Sequence, residues 1–155
     1  MTNLSVNVNK IAWLRNARGE NRPNLIEMSK ILIESGVHGL TVHPRPDLRH
    51  ITPDDVYDLS ILCADNKVEF NIEGNPYSEQ TKIYPGFLNL VKEIMPDQCT
   101  LVPDSPDQLT SDHGWEIQAK DHNAVRNIVE EIQTDKTRVS FFVDPNIAQI
   151  DAIKE

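Results

Sequence analysis

Hydrophobic and polar positions alternate in blocks along the chain, with short apolar, β-branched segments separated by longer amphipathic stretches. Strict alternation of this kind is typical of parallel βα units and argues against a β-sandwich or a helical bundle. Five such units can be counted, and they predict an α/β fold in which residues 1–155 form a single domain. The predicted strands are Leu4–Asn9, Gly39–His43, Val68–Glu73, Gln98–Val102 and Arg138–Val143.

Helix-start signals lie between these strands. Asn24 follows Pro23 as a good N-cap, and Thr52 precedes a proline and two acids, which is typical of a first helical turn. The predicted helices are Asn24–Ser35, Thr52–Ala64, Pro85–Ile94, Asp121–Thr134 and Pro145–Lys154.

Two segments are predicted to be long loops, Lys10–Pro23 and Pro103–Lys120. Loops of this length in a compact protein are often functional. Both follow the carboxyl ends of strands, where open sheets and closed barrels place their binding sites. The sequence therefore points to one face of the fold.

The first three strands each carry polar side chains on one side and apolar side chains on the other, because successive strand residues alternate in direction. If the apolar side meets the helices, the polar side faces the interior. Buried polar groups are costly unless they are paired, so three polar strand ends favour a site over a hydrogen-bonded structural core. The inward-facing residues are then Asn7, Asn9, Thr41, His43, Asn71 and Glu73.

His43 and Glu73 are the acid–base candidates in this set, since burial and neighbouring charges tune the pKa of both residue types toward neutral pH. His43 considered alone fits a satisfied core histidine better. Only its position beside the other polar strand ends favours a catalytic role.

Cationic side chains follow the first two strands and suit anionic substrates, because arginine holds phosphate through a two-pronged fork. For Arg15 and Arg49 a solvated loop charge is an equally good interpretation. The candidate cations are Lys10, Arg15, Arg18, Arg45, Arg49 and His50.

Composition narrows the range of partners. Acidic residues outnumber basic ones by 24 to 15, and the net charge of -9 argues against a nucleic-acid or anionic-membrane surface. No apolar run reaches membrane-spanning length and the N-terminus lacks signal-peptide features, so a cytoplasmic protein is expected.

Cys63 and Cys99 are interpreted as buried, reduced thiols. No metal site is predicted, because the spacing of His43, Asp47, His50 and Glu73 fits no standard ligand motif.

Four stretches of the chain are long and unusual: VNVNKIAWLRNARG at 6–19, GLTVHPRPDLRHIT at 39–52, FNIEGN at 70–75 and TLVPDSPDQLTSDHGW at 100–115. In their order and spacing they are similar to the pyridoxine 5'-phosphate synthase family. The resemblance implies a TIM (β/α)8 barrel enzyme, without metal or organic cofactor, that forms symmetric homo-oligomers. It condenses 3-amino-2-oxopropyl phosphate with 1-deoxy-D-xylulose 5-phosphate, releasing phosphate and water.

The resemblance also implies residue roles. His43 and Glu73 match the family's acid–base residues, and the loop from Pro103 to Gly114 matches its lid. Asn9 and Lys10 occupy a substrate-contact pair that is Asp-His in many members, so this pair is not expected to transfer protons. Positions that match phosphate contacts are Asn7 and Arg18 for the amino-ketone, and Arg45, His50 and Thr110 for the deoxyxylulose phosphate.

A TIM barrel needs eight strands and typically about 250 residues, whereas this sequence supplies about the first five βα units. We therefore expect the 155-residue chain alone to be inactive. Two alternatives stay open at this point. One is a phosphate-binding fragment or scaffold without chemistry, and the other is a different phosphate-handling barrel enzyme such as an isomerase or aldolase.

Overall fold

The computed structural model describes residues 2–105, 107–117 and 122–154. Helices and strands alternate through these ranges, as the pattern of apolar segments predicts. The strands are β1 (Ser5–Asn7), β2 (Gly39–Val42), β3 (Glu69–Gly74), β4 (Gln98–Leu101) and β5 (Arg138–Phe141). The helices are α1 (Asn9–Arg18), α2 (Leu25–Glu34), α3 (Pro53–Asn66), α4 (Phe87–Ile94), α5 (His122–Ile132) and α6 (Ile147–Lys154).

All five strands of the described residues form one parallel sheet, in the order β1-β2-β3-β4-β5. Chain order and spatial order coincide: α1 and α2 together join β1 to β2, and each later pair of neighbouring strands is joined by one helix. Leu40 pairs with both Val6 and Phe70, which places the apolar side of successive strands in register. The prediction of an α/β fold built from parallel βα units is confirmed.

The first predicted loop, Lys10–Pro23, is wrong over most of its length, because α1 begins directly after β1. The predicted first strand is also too long, and Asn9 is the first residue of this helix instead of a strand residue. Helix α1 has no side-chain cap and no acid in its first turn, so the usual start signals are missing. Buried Ala12 attaches it to the core.

The remaining helices follow their sequence signals. The Asn24 side chain accepts a hydrogen bond from the Glu27 N–H at the start of α2, and Thr52 forms a capping box with Asp55 at the start of α3. The predicted start of α5 at Asp121 lies outside the described residues, and its described part confirms the helix. None of the described helices is long and apolar enough to cross a membrane.

The hydrophobic core lies between the helices and the apolar side of the sheet. Leu40, Val42 and Ile72 are fully buried there against α3 and α4. Gly74 ends β3 where the Phe87 ring of α4 packs, and a Cβ at this position would lie 2.4 Å from the ring. Both cysteines are buried and unpaired, as the sequence predicts.

The opposite side of the sheet carries a chain of hydrogen-bonded side chains across all five strands, which we call the polar ladder. Its members are Ser5, Thr41, Asn71, Thr100 and Ser140. Ser5 and Thr41 are 2.8 Å apart, the Asn71 amide joins Thr41 at 3.3 Å and Thr100 at 3.0 Å, and Thr100 meets Ser140 at 2.8 Å. Thr41 and Asn71 are buried, so the interior-facing polar positions are paired as burial requires.

Candidate active site

A cavity of about 670 Å³ opens at the carboxyl ends of the strands, above the polar ladder. Its wall combines side chains from the ends of β1, β2 and β3 with residues of α1 and of the loop after β4. The lining residues are Asn7, Asn9, Lys10, Trp13, His43, Arg45, Arg49, His50, Glu73, Leu109, Thr110, Ser111 and Phe142.

Glu73 is the acidic side chain of this wall and comes from the end of β3. The Asn7 side-chain amide donates to Glu73 Oε2 at 3.2 Å. Burial raises the pKa of Glu73 to about 7, the charge of Asp104 adds to the rise, and the Asn7 hydrogen bond opposes it. A carboxyl group with this pKa exchanges protons readily near neutral pH.

His43 follows β2 directly and is buried. Burial and the neighbouring Arg45, His50 and Arg49 together lower its pKa to about 3, so the ring is neutral at physiological pH. The backbone N–H of His43 donates to Asn9 Oδ1 at 2.8 Å, which fixes the histidine against the start of α1.

His50 lies next to His43, with the two ring centroids 6.1 Å apart. Burial and the adjacent arginines lower the pKa of His50 to about 4. Both imidazoles are therefore neutral donors and acceptors, and the positive charge of the site comes from its lysine and arginines.

Arg45 and Arg49 bind the loop that follows β4. Arg45 Nη1 donates to Asp104 Oδ2 at 2.8 Å, and its Nη2 donates to the carbonyl oxygens of Ser105 and Gln108 at 2.9 and 2.8 Å. Arg49 donates to the carbonyl oxygens of Gln108 and Leu109 at 3.0 and 3.1 Å and forms an ion pair with Asp47. These bonds hold the loop against the cavity and bring Thr110 into its wall.

Arg15 and Arg18 lie elsewhere. Arg15 forms a two-pronged ion pair with Asp55 at the start of α3, so it is neither a solvated loop charge nor a residue of the cavity wall. Arg18 is exposed at the last turn of α1 and does not line the cavity.

Comparison with known proteins assigns the chain to a family. Residues 4–155 match the sequence profile of the family described as "Pyridoxal phosphate biosynthesis protein PdxJ". The chain belongs to the PdxJ family.

Curated relatives named pyridoxine 5'-phosphate synthase agree with this assignment. The protein of Xylella fastidiosa (strain 9a5c) is 52% identical over 146 residues, which cover 94% of this chain and 56% of that protein. The protein of Xanthomonas campestris pv. campestris (strain B100) is 51% identical over 155 residues, covering 98% of this chain and 60% of the relative. The chain thus spans less than two thirds of the length of these PdxJ relatives.

Most residues proposed from the PdxJ resemblance come together in the structure. With the exception of Arg18, all of them line the one cavity: Asn7, Asn9, Lys10, His43, Arg45, His50, Glu73 and Thr110. No group of three or more histidine, cysteine, aspartate or glutamate side chains in the described ranges is arranged to hold a metal ion.

Asn9 and Lys10 make different contacts in the site. The Asn9 amide oxygen accepts from the backbone of His43, a bond that an aspartate oxygen would also accept. The Lys10 ammonium group lies 6.0 Å from the Trp13 ring centroid, at the outer limit of a cation–π contact.

The sequence singles out neither Trp13 nor Asp104. Trp13 lies on α1, a segment whose sequence predicts a loop, so no pattern places this side chain in the wall. Asp104 lies just behind the wall, 3.5 Å from His43 and three residues past the end of β4, where strand alternation no longer applies. The other wall residues that the sequence does not single out are Leu109, Ser111 and Phe142.

Proposed function

We propose that this chain is the substrate-binding first part of a pyridoxine 5'-phosphate synthase acting in vitamin B6 biosynthesis. The reaction condenses 3-amino-2-oxopropyl phosphate with 1-deoxy-D-xylulose 5-phosphate to give pyridoxine 5'-phosphate, phosphate and water. The observation that carries the proposal is the cavity itself, where a carboxyl group that titrates near neutral pH faces neutral histidines and fixed cations.

The chemistry of the condensation fits this arrangement. The amine adds to the pentulose ketone, the resulting imine loses water and phosphate, and an aldol-type step closes the ring. Every stage moves protons, so a site needs groups that act as acid and as base in turn. Glu73 is suited to both roles because its pKa is close to 7, and neutral His43 presents one ring N–H and one ring lone pair to the reacting groups.

The cations are suited to hold the two phosphates and so orient one substrate against the other. Arg45 uses three of its five N–H donors on the loop after β4, which leaves two for a ligand. Lys10, His50 and Thr110 line the same wall, whereas Arg18 remains a proposed contact from outside it.

The proposed setting is a TIM barrel that this single domain begins and that later strands close. Support comes from the hydrogen bond between Asn7 and Glu73, which joins β1 to β3 across β2 on the polar side. In a flat sheet these strands would be about 10 Å apart, so the bond favours a sheet that is concave toward the cavity. A cytoplasmic homo-oligomer without a nucleic-acid partner or a cofactor completes the proposal.

The test uses a full-length version, in which residues 1–155 are followed by the remaining part of the barrel, for example that of the Xanthomonas campestris relative. Both substrates are mixed with it and pyridoxine 5'-phosphate formation is followed by mass spectrometry. Glu73→Gln is expected to lower turnover at least about 100-fold, as loss of an acid–base group does, while binding of 1-deoxy-D-xylulose 5-phosphate persists. Exposed Glu79→Gln is the matched control.

Three outcomes separate the proposals. Unchanged turnover in Glu73→Gln contradicts the role given to this carboxyl group. Phosphosugar binding without product in the parent protein favours a binding module. The 155-residue chain alone is expected to give no product, and robust turnover by it would contradict the need for further strands.

A further inference from the structure

Asp104 is a buried carboxylate between the cavity wall and the loop after β4, and the proposed function gives it no role. Only 6% of the residue is exposed. Its Oδ2 accepts from Arg45 Nη1 at 2.8 Å and from Ser111 Oγ at 2.9 Å, and the same oxygen lies 3.5 Å from His43 Nε2. One carboxylate oxygen thus accepts hydrogen bonds from Arg45 and Ser111 and also lies close to His43.

The position of Asp104 beside His43 Nε2 affects which nitrogen of the imidazole ring carries the hydrogen. An ionised carboxylate only accepts hydrogen bonds, so a neutral imidazole facing it is favoured with its hydrogen on Nε2. Nδ1 then carries the lone pair. The charge of Asp104 therefore favours the tautomer of His43 that has its hydrogen on Nε2 and its lone pair on Nδ1.

The contacts with the loop have a second effect. The backbone carbonyl oxygen of Asp104 accepts from Asn75 Nδ2 at 2.7 Å, and Arg45 also binds two carbonyl oxygens farther along the loop. Ser111, which donates to Asp104, is the neighbour of Thr110 in the chain and in the cavity wall. The position of Thr110 therefore depends on the carboxylate behind it.

The second oxygen of Asp104 points to a role beyond folding. Among the described residues Oδ1 is buried and has no hydrogen-bond partner. Leaving a charged acceptor half satisfied costs stability, and a residue selected for folding alone would avoid that cost.

We propose that Asp104 is a positioning residue: it keeps the hydrogen of His43 on Nε2 and joins Arg45 and Ser111 in one cluster that places Thr110 at the cavity wall. The kinetic part of this inference rests on the proposed function. The structural part concerns the state of the His43 ring and stands without it.

The deciding variant is Asp104→Asn in the full-length version. Arg45, Ser111 and His43 all face the same oxygen, Oδ2, so the amide oxygen of the variant takes that position and the negative charge facing His43 Nε2 is lost. Without this charge the preference for a hydrogen on Nε2 is expected to weaken. Nitrogen-15 NMR of the His43 ring at pH 7.5 is expected to show Nε2–H in the parent and a shift toward Nδ1–H in the variant. We expect kcat to fall by the factor by which the Nε2–H fraction falls, with KM changed less than about threefold.

Ser111→Ala separates the loop effect from the histidine effect. It removes one bond to Asp104 and leaves the carboxylate facing His43, so the tautomer is expected to stay while KM for 1-deoxy-D-xylulose 5-phosphate rises several-fold. Asp107→Asn makes the same change as Asp104→Asn at an exposed position of the same loop, and both readouts are expected to stay at the parent values.

An unchanged His43 tautomer in Asp104→Asn would overturn the inference, as would an equal kinetic loss in Asp107→Asn. If Asp104→Asn fails to fold, Asp104→Glu decides, since it keeps the charge: a retained Nε2–H supports the inference and a lost one overturns it. If the parent protein makes no product, the proposed function fails, and the NMR comparison still decides the positioning role.

Discussion

Two carboxyl groups at the same end of the sheet, Asp55 and Glu73, have opposite electrostatic environments. Asp55 lies at the start of α3, where the Arg15 guanidinium and the backbone and side chain of Thr52 donate to it. These donors outweigh the effect of burial and hold its pKa below the usual range. In the part of the chain that the structure describes, Glu73 has the Asn7 amide and no cation among its hydrogen-bond donors, so burial raises its pKa to about 7.

The difference shows how one residue type performs two functions in one fold. A carboxylate surrounded by donors stays ionised and stabilises the start of a helix. A carboxyl group buried with few donors stays ready to exchange protons, at a cost to stability. The following changes test this contrast, beginning with the largest expected effect.

Removing the charge of Asp55 is expected to be the most destabilising change. Asp55→Asn leaves the half-buried Arg15 without its ion pair, and we expect a loss of about 3 kcal/mol in the free energy of unfolding, at the lower end for broken buried pairs. Urea denaturation at pH 7 measures it. Asp54→Asn, an exposed neighbour in the same turn, is the control and is expected to change stability by less than about 0.5 kcal/mol.

The contribution of Asp55 to the free energy of unfolding depends on pH over a defined range. Because its folded pKa lies below the unfolded value, the stabilisation is present above about pH 4, the unfolded pKa of aspartate. It is lost as the pH falls through the folded pKa. The gap between the parent and Asp55→Asn is therefore expected to narrow below pH 4, and a gap independent of pH would contradict the ion-pair explanation.

Removing the charge of Glu73 is expected to have the opposite effect. Its folded pKa is raised to about 7, so the folded state loses stability as the pH rises from the unfolded pKa, about 4.3, through 7. Glu73→Gln is expected to be more stable than the parent by about 2 kcal/mol at pH 8, with no gain at pH 4. Denaturation at both pH values measures this, and Glu79→Gln should show no such gain. A loss of stability at pH 8 would contradict the conclusion that burial of ionised Glu73 destabilises the folded state.

The smallest effect is expected at the donor that helps fix Asp55. Thr52→Ala removes the hydroxyl of the capping box and is expected to cost about 1 kcal/mol, as for other N-caps. Thr52→Ser keeps the hydroxyl and should retain most of the stability. Equal losses in the two variants would indicate that the methyl group, and not the cap, is what matters.

The contrast could be predicted only in part from the sequence. The alternation of apolar segments predicts the parallel βα units and the side of the strand on which Glu73 lies, because both follow from local patterns in the chain. The Thr52 signal likewise predicts the start of α3. The pairing of Arg15 with Asp55 could not be predicted, because it joins residues 40 positions apart through a helix that has no start signal.

The same limit applies to the candidate site. Polar strand ends identify Glu73 and His43 as neighbours, since parallel strands bring their carboxyl ends together. What Arg45 contacts depends on how the loop after β4 folds back, and that loop has no periodic pattern. Asp104 lies on this loop, three residues past the end of β4, and could not be predicted for the same reason.

The polar ladder has a consequence for the direction of its hydrogen bonds. Asn71 donates to Thr41 and accepts from Thr100, so a single amide assigns donor and acceptor on both sides. Thr100 uses its one hydroxyl hydrogen on Asn71, so Ser140 donates to Thr100, whereas either hydroxyl of the Ser5–Thr41 pair can be the donor. The three bonds between Ser140 and Thr41 therefore all point from β5 toward β2, and aligned bonds of this kind polarise one another. The polar ladder beneath the cavity therefore contains an aligned row of hydrogen-bond dipoles, and the orientation of the Asn71 amide sets its direction.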